Sequence, residues 1–229
     1  MAVLEGVVGG LAETGAATSL PLHASARPLT YGTLGHYRLA SVTGTIAAGL
    51  AASAVVFSFR WGDATRLCAL LRLKANFIPL TPFTAATLTD HTSFDAFFGR
   101  TFTASHTGGT ALTPTGNSQK ARASMGTSLV TDIRLATTVA LGGGTITLDA
   151  FPFAVSLRKG NRVNPAAATE ETIQPTDMGL SMDLDLAAGE HPPLFVQNEG
   201  FIIRNRTVWP AAGTGILSVQ LSWAELTIF

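Results

Sequence analysis

The chain has 229 residues, with 15 basic and 15 acidic side chains and so a formal net charge of zero. That balance excludes the excess of Lys and Arg on which phosphate neutralisation depends, so no nucleic-acid partner is expected. The lone Cys68 excludes an intrachain disulfide framework and suits a reducing cytosol.

Only 13% of residues are charged, about half the usual globular share. Hydrophobic residues make up 46%, and the mean hydropathy is +0.31. An exterior so poor in charge associates readily, and covered surfaces are generally depleted in charge. We therefore expect a symmetric homo-oligomer or a lattice to cover much of it. A monomer rich in Ala, Thr and Gly is the competing explanation, because small residues raise hydropathy without making adhesive patches.

Residues 1–35 are rich in Gly, Ala, Ser and Thr, carry Pro21 and Pro28, and show no sustained period. They are expected to form an extended arm, ordered only where it lies on another surface. Glu5 and Glu13 stand in the first 20 residues with no Lys or Arg, which argues against a secretory signal. Residues 36–229 are expected to form one β domain. Leu39 to Phe59 is 21 residues without a charge, close to the length that spans a bilayer. Its Ser41, Thr43, Gly44, Thr45, Gly49 and Ser53 favour two strands around an Ala/Gly turn at 47–52, and no membrane partner is expected.

Val55, Phe57, Phe59 and Trp61 alternate with Val56, Ser58 and Arg60, the period of a half-buried strand. After the turn at 62–65, Leu67 to Ile78 alternates again, with Arg72 and Lys74 on one side and Leu71, Leu73 and Ala75 on the other. Phe94, Phe97, Phe98 and Phe102 recur at helical offsets. They predict one short helix covering an open side of the sheet, capped by Thr92 or Ser93 with Asp95 in its first turn. Residues 104–127 read as a long polar connection. Strands resume at Leu129–Leu135, Thr138–Leu141, Thr145–Asp149 and Phe151–Leu157, with Gly142–Gly144 as a turn. Arg158–Asp177 is a polar excursion before Leu180–Leu186.

Leu194–Val196 and Phe201–Ile203 flank a polar tip, which predicts a hairpin with Gly200 at positive φ. In Ile216–Ala224, residues Leu217, Val219, Leu221 and Trp223 share one face. Those three closing strands predict a meander at the centre of the core. The fold class is all-β: an antiparallel β-sandwich, with the jelly roll as its candidate topology.

No constellation carries chemistry, so no catalytic, metal or cofactor-binding residue is assigned and no enzyme is expected. His23, His36, His91, His106 and His191 include no zinc spacing. Cys68 lies in an apolar run and reads as a small buried thiol. Asp183 and Asp185 share one strand face and could supply part of a calcium site, against the simpler reading of a solvated face. Trp61 and Trp223 are assigned to the core. Trp209, beside Pro210, is the aromatic nominated for a surface role such as stacking on a sugar.

Several blocks occur together and in order: Tyr37–Leu39, Ser41–Thr45, Ala47–Ala51, Phe59–Trp61, Phe97–Gly109, Gly116–Arg122, Gly189–Pro192, Asn198–Asn205 and Ser222–Glu225. The set resembles a group of tailed-bacteriophage and prophage proteins that are virion components without a defined activity. The likeness covers residues 36–226 and excludes the arm. It implies a capsid-associated structural protein, cement, decoration or lattice subunit, whose partners are itself and other capsid proteins, located in the virion after assembly in the host cytoplasm. It carries over no catalytic or ligand residue. A fibre or tail module binding a host glycan is the alternative.

Overall fold

The computed structural model describes residues 34–81, 91–114, 116, 119–159, 162–163, 170–171, 179–183 and 191–227. Among them are fourteen strands: β1 (His36–Val42), β2 (Val55–Trp61), β3 (Arg66–Thr81), β4 (His91–Thr107), β5 (Thr110–Ala111), β6 (Asp132–Leu135), β7 (Gly142–Leu148), β8 (Ala154–Lys159), β9 (Arg162–Val163), β10 (Glu170–Glu171), β11 (Gly179–Asp183), β12 (Leu194–Phe195), β13 (Glu199–Asn205) and β14 (Thr214–Thr227). The first sheet runs β1-β14-β3-β11, with β12 also on β3. The second runs β5-β6-β2-β13-β4-β7, with β8 also on β4, while β9 and β10 pair apart. Every pairing is antiparallel, and the two sheets pack face to face as a sandwich.

Alternation explains the packing. Leu217, Val219, Leu221 and Trp223 of β14 point inward with Leu73, Ala75 and Phe77 of β3. They meet Phe57 and Phe59 of β2 and Phe201 and Ile203 of β13 from the second sheet. At one end of the core Trp223 stands edge-on to Phe59 at 5.6 Å, and Phe59 stacks on Phe201 at 5.4 Å. At the other end Phe77, Phe94 and Trp209 pack together with centroids 5.1 to 5.8 Å apart. Each of these rings contributes roughly 1.5–3 kcal/mol by leaving water.

The expected helix is a strand. Phe94 and Ala96 face the core, whereas Phe97 faces the other side with Ile202. At Thr101 the backbone turns to φ 47°, and Thr101–Thr103 stand opposite the single residue Ile146 of β7. This bulge resets the alternation, so Phe102 joins Phe97 instead of Phe98. A strand interrupted in this way spaces its aromatics like a helix. Arg60 holds the bulge: Nε donates to the Phe102 carbonyl at 2.7 Å and Nη2 to the Thr103 carbonyl at 2.9 Å.

The expected closing meander is also corrected. β12 lies on β3 in the first sheet, β13 lies between β2 and β4 in the second, and β14 returns to the first. The segment Gln197–Gly200 therefore crosses between sheets and is not a hairpin tip. Positive φ falls on Asn198 (62°), while Gly200 is needed because a Cβ there would overlap the Phe59 carbonyl oxygen. Gly142–Gly144, expected as a turn, begins β7, and a Cβ on Gly144 would press on the His106 ring. Thr138–Leu141, expected as a strand, touches the ladder only where Leu141 bridges Val55. The expected polar connection starts later than residue 104, because β4 runs to Thr107.

β1 and β2 flank the Ala/Gly turn as expected, in different sheets. Among the described residues no helix is long and apolar enough to cross a membrane. The arm up to residue 33, and Asp185, lie outside the described residues.

Trp209, nominated for the surface, is only 1% exposed. Gly49 N–H donates to the Pro210 carbonyl and Trp209 N–H to the Leu50 carbonyl, both at 2.9 Å, which seats the indole under the 47–52 turn. Trp209→Ala should therefore destabilise the protein by about 3–5 kcal/mol in urea unfolding, the magnitude of a buried indole lost to a cavity. An unchanged unfolding midpoint would show that the ring is not a core residue.

Candidate functional site

The outer face of the first sheet carries a groove of about 450 Å³. Its floor and walls come from His36, Arg38, Ala40, Arg72, Gln119, Gln220 and Ser222, with Leu39 and Leu221 at its base. Tyr37 and Leu39 of β1 point inward, so His36, Arg38 and Ala40 point outward by alternation. The register then sets rows across three strands. Arg38 pairs with Ser222, and Ser222 with Arg72; Ala40 pairs with Gln220, and Gln220 with Lys74. Two guanidinium side chains thus flank a serine hydroxyl.

Residues 119–125 close the groove's β1 side. Lys120 bridges Tyr37, Ala121 N–H donates to the His36 carbonyl at 2.9 Å, and His36 N–H meets Met125 Sδ at 3.4 Å. Burial, and then the charge of Arg38, hold the His36 imidazole below its usual pKa, so it is neutral at pH 7.

Behind the groove, on the inner face, lies a buried carboxylate. Glu225 is fully buried, and its Oε1 accepts from Ser128 Oγ at 2.7 Å and from Leu129 N–H at 2.8 Å. Trp223 Nε1 donates to the same Ser128 hydroxyl at 3.3 Å, and Tyr37 donates to the Gly126 carbonyl at 3.0 Å. Glu225 thereby fastens the 126–130 segment to β14. Its Oε2 meets no donor, and burial pushes its pKa up despite the hydrogen bonds that favour the anion.

The other nominated residues are dispersed. Cys68 is fully buried, and burial, with the neighbouring Glu225 charge, raises its thiol well above the usual range, the opposite of a nucleophile. His106 packs edge-on against Phe102 at 5.4 Å inside the second sheet's outer cluster. His191 is exposed, and His91 opens β4. Asp183 stands opposite Arg72 in the β11–β3 register. Among the described residues no three His, Cys, Asp or Glu side chains gather closely enough to hold a metal ion. Sequence reasoning placed Arg72 and Lys74 on one strand face but missed the groove. The missing signal was the alignment of β1, β14 and β3, which residue spacing does not encode.

No protein-family model matches this chain, and no curated protein matches it. The groove and the face around it are therefore read from their own chemistry.

The Glu225 carboxyl gives a pH prediction. Its folded pKa lies above the unfolded value, so its contribution is complete below the unfolded pKa and is lost as pH rises through the folded one. Glu225→Gln keeps an oxygen for Ser128 and Leu129 but removes the titration. Thermal melts from about pH 5 to about pH 8 should show the variant gaining stability relative to wild type as pH rises. A constant difference across that range would contradict the assignment.

Proposed function

We propose that this chain is a structural subunit of a tailed-bacteriophage virion, a cement, decoration or lattice protein that stabilises the shell by binding copies of itself and neighbouring capsid proteins. The observation that carries the reading is the strand order. Take β1, β2, β3, β4, β8, β11, β13 and β14 as strands one to eight; the sheets then read one-eight-three-six and two-seven-four-five. That order supports reading the sandwich as a jelly roll, an architecture that capsid domains use and that lectin domains share. β5, β6, β7, β9, β10 and β12 are then additions to its connections.

Architecture alone leaves function open, and the surface narrows it. Val42, Ile78 and Leu80 are each about half exposed, at 53%, 50% and 51%, at one end of the first sheet's outer face. Ile216 pairs with Ile78 there, while Val42 shares its row with Ser218 and Asn76. Apolar side chains gathered on a sheet face mark a surface to be covered. The resemblance to virion components and the low charge content point the same way.

Light scattering at rising concentration should show wild type self-associating, and mass spectrometry should find the chain in purified particles. Ile78→Asp combined with Leu80→Asp should weaken association at least tenfold with an unchanged urea midpoint. A wild-type chain that stays monomeric and is missing from particles would end the proposal.

A further inference from the structure

We infer that the second half of β1, Leu39–Val42, is an open sheet edge that pairs antiparallel with the same segment of a second copy of this chain. The inference rests on the self-association proposed above and names a contact that makes it. β1 ends the first sheet, and among the described residues its ladder is with β14 alone. Thr43 N–H donates to the Leu217 carbonyl and Glu225 N–H to the Gly35 carbonyl, both at 2.9 Å. Antiparallel bonds to one neighbour recur at every second residue, so Tyr37, Leu39 and Ser41 turn their backbone groups toward β14. His36, Arg38, Ala40 and Val42 turn theirs away. At the start of the strand residues 119–125 cover that side: Lys120 bridges Tyr37, and Ala121 N–H donates to the His36 carbonyl at 2.9 Å. Among the described residues nothing pairs there with the backbone of Ala40 or Val42.

The other outer strands of the two sheets are defended in ways that block strand addition. β11 carries Asp183, β8 carries Arg158 and Lys159, and β5 is two residues long. β7 opens with Gly143 and Gly144 at positive φ, which twists its edge. Leu39–Val42 has no charge, no proline and no positive φ. A two-fold axis at Ser41 sets Ala40 opposite Val42 of the second copy, and Val42 opposite Ala40. Both residues turn their backbone outward, so each outward N–H meets a carbonyl and each outward carbonyl meets an N–H. The side chains of Ala40 and Val42 share the outer face, so the pairing also covers Val42, which is 53% exposed. In this register Arg38 falls opposite Gly44, so the guanidinium of β1 meets no like charge, and the 119–121 cover lies beyond the paired residues. The segment is thus its own complement. A second copy gives an isologous contact that closes, and a chain of zero net charge does not repel its copy.

Cysteine cross-linking and light scattering on the full chain test this. Ser41 of the two copies would face each other as a non-hydrogen-bonded pair about 4.5 Å apart between Cα atoms, within disulfide reach. Ser41→Cys should therefore give a disulfide-linked dimer under mild oxidation. Phe151→Cys, at a position 82% exposed beyond the second sheet's β7, should not, and Cys68 is buried and takes no part. Ala40→Lys, at an exposed position, should weaken association at least tenfold without moving the urea midpoint. Ala40→Pro should weaken it as much, because the N–H it removes points away from β14. The inference is overturned if Ser41→Cys stays unlinked, if Ala40→Lys associates like wild type, or if association is lost only on deletion of residues 1–33, which would give the edge to the arm. Any of these results in a wild type that self-associates leaves the virion reading standing. A wild-type chain that is monomeric and missing from particles ends both.

Discussion

The structure depends on how Trp223 is held. Its ring stacks on Tyr37 of the neighbouring strand at 5.6 Å, meets Phe59 of the opposite sheet edge-on, and spends its one N–H on Ser128. One side chain thus joins β1 to β14, the first sheet to the second, and the 126–130 segment to both. The Ser222/Trp223 irregularity in the β14–β3 register belongs to the same constraint. It leaves Leu71 without a partner on β14, beyond the regular register in which Ser222 faces Arg72.

Much of this was legible in the residues. The alternation of β2, β3 and β14 is strict enough to name the inward faces, and the all-β class follows from it. The assignment of strands to sheets was not legible. Leu194–Val196, Phe201–Ile203 and the final strand are separated by ordinary turn residues, and nothing local states that the chain changes sheet at each turn. The Phe94–Phe102 run misled for a definite reason: a bulge adds residues to a period of two, and the resulting offsets mimic a period of 3.6. Trp209 misled because a residue beside Pro-Ala-Ala-Gly reads as a turn, yet the 47–52 segment folds over it. The groove needed both register and distance, since its residues come from β1, β3, β14 and the 119–125 segment.

One sheet face holds two chemically unlike regions. Toward the start of β1 it is cationic and lined with amides and hydroxyls; toward the end of β1 it is apolar, with Val42, Ile78 and Leu80. Desolvating the apolar end is favourable in itself, whereas covering the cationic end requires replacing water at charged groups. The second sheet differs. Its outer face buries Phe97, Phe102 and Ile202, and Arg204 lies over the Phe97 ring at 4.1 Å.

The pairing of β1 with β14 has a consequence for biogenesis. Among the described residues, 36–42 form their ladder with residues 218–224, and β2 pairs with residues 132–135 on one side and 199–204 on the other. During translation neither sheet can close until the ribosome has released nearly all of that span. Contacts this distant in sequence slow folding and leave inward apolar strands uncovered meanwhile. A chain with so few charges to keep it apart from its siblings has reason to need a chaperone over that interval.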